Sequence, residues 1–152
     1  MRCVISGGSG FIGSAFIRRV LASQGPWAET LAGWTITALV RNSDQRNLRR
    51  LDDIDVRNAV SKGRLRLVYG DLLGDISGLC EGADHVVHFG AKTFVDHSIR
   101  DARPFVEANV LGTLNLLEDA RRNKVKRWIQ IGTDEVYGSI LDGAYTEDSR
   151  LN

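Results

Sequence analysis

The stretch Cys3-Val4-Ile5-Ser6-Gly7-Gly8-Ser9-Gly10-Phe11-Ile12-Gly13 opens the chain and decides how the rest is read. Three apolar residues, enough for a short buried strand, run into a cluster of glycines. The cluster runs into residues 11–23, where Phe11, Ile12, Ala15, Phe16, Val20 and Leu21 recur at helical spacing. The glycines satisfy Gly-x-Gly-x-x-Gly through Gly8, Gly10 and Gly13, and Gly-x-x-Gly-x-x-Gly through Gly7, Gly10 and Gly13. Between a strand and a helix such glycines serve a tight turn, close approach of the backbone to a pyrophosphate, and close packing of helix on strand. The helix start, at Phe11 and Ile12, then offers unpaired N–H groups and a positive dipole end to phosphate oxygens. The motif by itself is weak. Its strand–loop–helix setting is what points to dinucleotide binding.

Outward from this loop, short apolar runs alternate with helix-length stretches. Residues 34–40, 65–69, 84–89 and 127–131 read as further strands, and residues 44–51 as a short helix with Leu48 and Leu51 inward. Residues 76–80 read as a helical turn. Residues 101–123 read as the longest helix, with Phe105, Val106, Val110, Leu114 and Leu117 on one stripe. A long connection beginning Gly25-Pro26-Trp27 joins the first helix to the second strand, and no periodic segment follows Gly132. The expected fold class is therefore α/β: a Rossmann-type, doubly wound parallel sheet, cut short after about five strands. Residues 1–132 form one dinucleotide-binding domain, and residues 133–152 a loop.

Composition bounds the function. The 152 residues suit one domain, and 43% hydrophobic content with a net charge of +1 excludes general disorder. Twenty basic residues are offset by 19 acidic ones, which argues against nucleic acid as a partner. The basic run from Arg121 to Arg127 reads as a solvated helix end, where cations complement the dipole. Two cysteines, Cys3 and Cys80, exclude a disulfide scaffold and fit a cytoplasmic setting. No apolar run approaches the roughly 20 residues of a membrane span, and the glycines come too early for a signal peptide. His85 and His88 stand three apart in a strand, on opposite faces, so no metal site is expected.

Two positions bear on the choice of dinucleotide. NAD-binding folds carry an acid at the end of the second strand for the ribose hydroxyls. Here Arg41 stands in that place, either as a solvated loop residue or as a partner for the 2′-phosphate of NADP. After the third strand, Asp71 and Leu72 follow Gly70; the acid is placed to accept from an adenine amino group, or is an ordinary turn aspartate.

The stretches His88-Phe89-Gly90-Ala91-Lys92-Thr93-Phe94-Val95-Asp96-His97-Ser98, Asn109-Val110-Leu111-Gly112-Thr113 and Thr133-Asp134-Glu135-Val136-Tyr137-Gly138 are more specific. With them the chain, over its whole length, resembles the extended short-chain dehydrogenases/reductases, and within these the nucleotide-sugar 4,6-dehydratases. The resemblance implies NAD as cofactor, contacted also by Phe89, Gly90 and Ala91, and a nucleotide sugar such as dTDP-glucose as substrate once a C-terminal part completes the site. It implies C4 oxidation, loss of water across C5–C6 and return of the hydride to C6. Thr133 would bond the C4 hydroxyl, Asp134 would be the acid for the departing hydroxyl, and Glu135 the base for the C5 proton. It also implies a homodimer through the helix at 101–123.

The chain departs from the family pattern in places. Lys92, Phe94 and His97 replace the usual Glu, His and Arg, and Ala108 replaces the usual Thr. The family's Tyr-x-x-x-Lys pair has no counterpart, since Tyr69, Tyr137 and Tyr145 are followed four places on by Leu73, Leu141 and Ser149. The chain by itself is expected to be inactive. The alternatives are a non-catalytic dinucleotide-binding module and a fragment of a sugar-nucleotide epimerase or reductase.

Overall fold

The computed structural model describes residues 1–23, 26, 28–41 and 45–151. Parts of the Gly25-Pro26-Trp27 connection, the Asn42-Ser43 pair after Arg41 and the expected helix start at Asp44 lie outside the described residues. Five strands form one parallel sheet in the order β3-β2-β1-β4-β5. They are β1 (Arg2–Ser6), β2 (Thr35–Val40), β3 (Leu65–Tyr69), β4 (His85–His88) and β5 (Arg127–Gln130). The helices are α1 (Phe11–Ala22), α2 (Ala28–Ala32), α3 (Gln45–Leu48, prolonged by a tighter turn over Arg49–Leu51), α4 (Ile54–Ser61), α5 (Val95–Arg100), α6 (Arg103–Val106) and α7 (Gly112–Arg122). This is the expected doubly wound sheet.

Strand alternation divides the core in two. Cys3 and Ile5 of β1 face one side with Ile17, Val20, Ile36, Ala38, Val40 and Val56, beneath α1 and α4. Val4 faces the other side with Leu39, Val86, Cys80, Leu116 and Ala120, beneath α7. Both cysteines are inert in these clusters. Burial pushes each thiol up to about 12, with Asp119 adding to the effect at Cys80. The two histidines do diverge: His85 packs at a tilt against Trp34, at 5.7 Å between ring centroids, and His88 against Trp128, at 5.5 Å.

Several elements differ from the reading of the sequence. Phe11 and Ile12 share the helical spacing but not the core, being 80% and 59% exposed at the mouth of α1. Helix α4 was not expected; Asp53 caps it, accepting from Val56 N at 2.8 Å, and Val56 and Ala59 turn inward. Helix α2 is a one-turn element inside the stretch read as a connection, and the short helix α5 was not expected. Residues 76–80 form successive turns rather than a helical turn, because buried Asp119 accepts from Gly78 N and Cys80 N, each at 2.8 Å. The long helix begins at Arg103, where Pro104 fits the first turn, and is broken by a wide π turn at Glu107–Leu111 before α7. After Gly132 a short turn of 3₁₀ helix covers Asp134–Tyr137.

The outer stripe of the long helix, Val106, Val110, Leu114 and Leu117, faces solvent. The core is filled instead by Leu116 and Ala120. Among the described residues no helix is long and apolar enough to cross a membrane. The inward and outward faces of α7 make a direct test. Leu116→Ala, at a fully buried position, is expected to cost about 2–5 kcal/mol in urea unfolding. Leu117→Ala, at a position 40% exposed, should cost under about 1 kcal/mol; equal losses would reverse this assignment of faces.

Candidate functional site

Every residue singled out for binding or catalysis emerges at one edge of the sheet, where the parallel strands end. The loop from Gly7 to Gly10 leaves β1, Arg41 follows β2, Asp71 and Leu72 follow β3, Phe89 to Ala91 follow β4, and Thr133 to Glu135 follow β5. The order of the sheet reverses direction between β1 and β4, and open α/β sheets bind ligands at such a switch point.

Gly7 has φ +68, in the left-handed region, and a Cβ there would come within 2.8 Å of Gly90 N and 2.9 Å of Phe89 C. A Cβ on Gly13 would overlap the Gly7 carbonyl oxygen. That same carbonyl accepts from Gly10 N at 2.9 Å, which closes the turn. The N–H groups of Phe11, Ile12 and Gly13 precede the first helical bond, Ser14 N to Gly10 O at 3.0 Å. No side chain caps the helix at Gly10. The cradle is narrow because of Gly7 and Gly13, and its open donors belong to the start of α1.

On the facing wall, Phe89 packs on Phe16 of α1 at 5.4 Å between ring centroids. Leu72 packs on the backbones of Gly90 and Gly112, and its carbonyl accepts from Asn115 Nδ2 at 2.9 Å. The structure thus brings Gly7, Leu72, Phe89 and Gly90 together. Asp71 is exposed; one carboxylate oxygen accepts from Leu73 N at 3.0 Å and shapes its own turn. Arg41 is exposed, one residue beyond β2. Ala91 is exposed beyond Gly90. Thr133, Asp134 and Glu135 are exposed, and their side chains make no hydrogen bond or ion pair among the described residues. Nothing in the structure ties them to the glycine loop beyond their place on the same sheet edge.

Two features were missed in the sequence. Arg50 reaches back to the glycine loop, its Nη1 donating to Ser9 O at 3.4 Å and to Asn47 Oδ1. Its position 41 residues from Ser9 leaves no local signal. The other is His88, fully buried between Ser6 of β1 and Thr113 of α7. Its strand was read correctly, but a buried histidine in a strand of apolar neighbours gives no sign of which polar groups meet it.

Residues 4–152 match the family described as GDP-mannose 4,6 dehydratase. The chain belongs to that family. A dTDP-glucose 4,6-dehydratase of Streptomyces niveus is 41% identical over 98% of this chain and 43% of its own length. A low-salt glycan biosynthesis protein of Haloferax volcanii is 40% identical over 99% of this chain and 45% of its own. The crystal structure of DesIV, a dTDP-glucose 4,6-dehydratase of Streptomyces venezuelae solved with NAD bound, matches with a TM-score of 0.80 and 39% identity, covering all of this chain and 45% of that one. Against its relatives in the GDP-mannose 4,6 dehydratase family, then, the chain spans less than half their length. The glycine loop, Gly90 and Thr133 to Glu135 all lie within the matched residues.

Burial depresses the His88 imidazole below its usual value. Its partners are neutral: Ser6, Thr113 and the Trp128 ring. In the unfolded chain a histidine takes up a proton near pH ~6.5, which the folded state resists. Stability from this group is full above that pH and is lost as pH falls through it. Urea midpoints should therefore drop between pH 7.5 and 5.5, and drop less in His88→Gln. Identical pH slopes for the two proteins would remove His88 from the account.

Proposed function

We propose that this chain is the NAD-binding part of a nucleotide-sugar 4,6-dehydratase acting on dTDP-glucose. The observation that carries the reading is the juxtaposition, at one sheet edge, of a glycine cradle that any Cβ would fill and the Thr133-Asp134-Glu135 run. The similarity to dTDP-glucose 4,6-dehydratases supports it. The cradle fits a dinucleotide: Gly7 and Gly13 keep the backbone bare, and the first N–H groups of α1, ahead of the first helical bond and capped by no side chain, are the donors a pyrophosphate would use. NAD, when bound, supplies the hydride acceptor and donor. In this reading residues 1–132 carry that cofactor and residues 133–152 begin the sugar site, in a cytoplasmic protein.

The residues divide the remaining work. The N–H groups of Phe11 and Ile12 hold phosphate oxygens. Phe89, Gly90 and Ala91 form the opposite wall, and Asp71 and Leu72 border the adenine end. Arg41 faces the ribose without the acid that usually selects NAD, which leaves room for NADP. Thr133 positions the sugar hydroxyl, Asp134 donates a proton to the leaving hydroxyl oxygen, and Glu135 accepts the proton from the adjacent carbon. Asp134 and Glu135 are adjacent and both exposed, so a bound sugar must set their environments apart.

Calorimetry with NAD and NADP tests the binding half. The wild-type chain should bind, and Gly13→Val should lose at least about tenfold in affinity, ~1.4 kcal/mol; equal binding by both proteins, or none by the wild type, would sink the proposal. Turnover is a separate matter. Oxidation of the sugar hydroxyl needs a base placed against it, and these 152 residues hold no tyrosine with a lysine four places on. The purified 152-residue chain should yield no 4-keto-6-deoxy product from dTDP-glucose, and repeated turnover would mean that another residue supplies the base.

A further inference from the structure

The hydrogen bonds around His88 can be assigned a direction. Thr113 Oγ1 has one hydrogen, and it points to Asn109 O at 2.7 Å, one helical turn back. Toward His88 Nε2, at 2.9 Å, the hydroxyl therefore accepts, so Nε2 carries the hydrogen. A neutral ring protonated at Nε2 has a bare Nδ1, which accepts from the Ser6 hydroxyl. Ser6 Oγ, having given its hydrogen, accepts from Gly90 N at 3.2 Å. The series runs without a break from the Gly90 amide, through Ser6, to the ring, and from the ring through Thr113 to the carbonyl of Asn109. No charged group takes part.

Both ends of this series are attached to the wall of the cradle. Gly90 is the residue against which Gly7 packs so closely that a Cβ on Gly7 would lie 2.8 Å from Gly90 N. Asn109 sits in the π turn, and its side chain bonds Lys92 twice, accepting from Lys92 N at 2.8 Å and donating to Lys92 O at 2.9 Å. The segment from Gly90 to Lys92 is thus held at its start by Ser6 and at its end by Asn109, with His88 joining the two anchors.

We propose that His88 is a positioning residue for the dinucleotide: its neutral imidazole, locked in one tautomer between Ser6 and Thr113, sets the distance between the glycine loop and the segment after β4. The inference rests on the dinucleotide reading. It adds that affinity depends on a buried series of neutral hydrogen bonds that never touches the ligand. A second proton on Nδ1 would face Ser6 Oγ and leave the Ser6 hydroxyl hydrogen without its acceptor in a site closed to water. The wall at Gly90 would then lose its fixed partner.

The experiment pairs NAD titration with ¹⁵N NMR of the imidazole. In the wild type, the ring should be neutral with hydrogen on Nε2 at pH 7.5. Thr113→Val keeps the shape but removes both hydrogen bonds, and should weaken NAD binding about tenfold while the thermal transition stays cooperative. Thr113→Ser should restore the affinity and the ¹⁵N signature. A ring protonated at Nδ1, or wild-type affinity in Thr113→Val, overturns the positioning role and leaves the dinucleotide reading standing. Failure of the wild type to bind NAD overturns both.

Discussion

Where β1 and β4 leave the sheet, their backbones pass so closely that Gly7 has room for no side chain against Gly90. The rest of the candidate site follows from this contact. It sets the positive φ at Gly7, which turns the chain back so that the Gly7 carbonyl can receive Gly10 N and bring Gly13 beneath it. Helix α1 then starts directly over the strand ends, with its first donors uncapped. Parallel pairing of β1 with both β2 and β4 puts the remaining strand ends around that point. A larger residue at Gly7 would separate the two central strands at the place where the sheet changes direction.

Much of this was legible in the sequence because it is local. The glycine spacing, the β-branched runs and the alternating periods specify a strand, a loop and a helix within a dozen residues, and repeated βαβ units specify the parallel sheet. Short elements were harder to read. Helix α4 carries a clear cap in Asp53, but two inward residues, Val56 and Ala59, make a faint stripe. The π turn at Glu107–Leu111 adds a residue to the helical repeat, a change that no residue type in the stretch announces. Arg50 at the glycine loop and Leu72 against Gly90 and Gly112 are contacts made by folding, and the chain between them carries no trace of the meeting.

Two buried polar side chains hold the parts that have no regular structure. Asp119 takes three donors, Gly78 N, Cys80 N and Asn123 Nδ2, and so fixes the turns before β4 to α7. His88 does the same for the segment after β4. Each is an apolar-layer position given to a polar group whose partners are all supplied, the condition under which such burial is tolerated. The segments they hold lie on opposite sides of β4 in sequence, so α7 is attached both to the approach to that strand and to the exit from it.

The two outer strands end the sheet differently. At one side β3 places Arg66 among its apolar residues, bonded to Thr37 of β2, and α4 packs alongside. At the other, β5 has β4 as its one ladder partner among the described residues, and Ile129 and Ile131 lie exposed. A strand in that position offers a row of free backbone donors and acceptors and works as a template for another strand. Among the described residues the β5 margin is therefore open. Any strand that added to it, from the same polypeptide or another, would extend the sheet beyond β5, the strand that leads into Asp134 and Glu135.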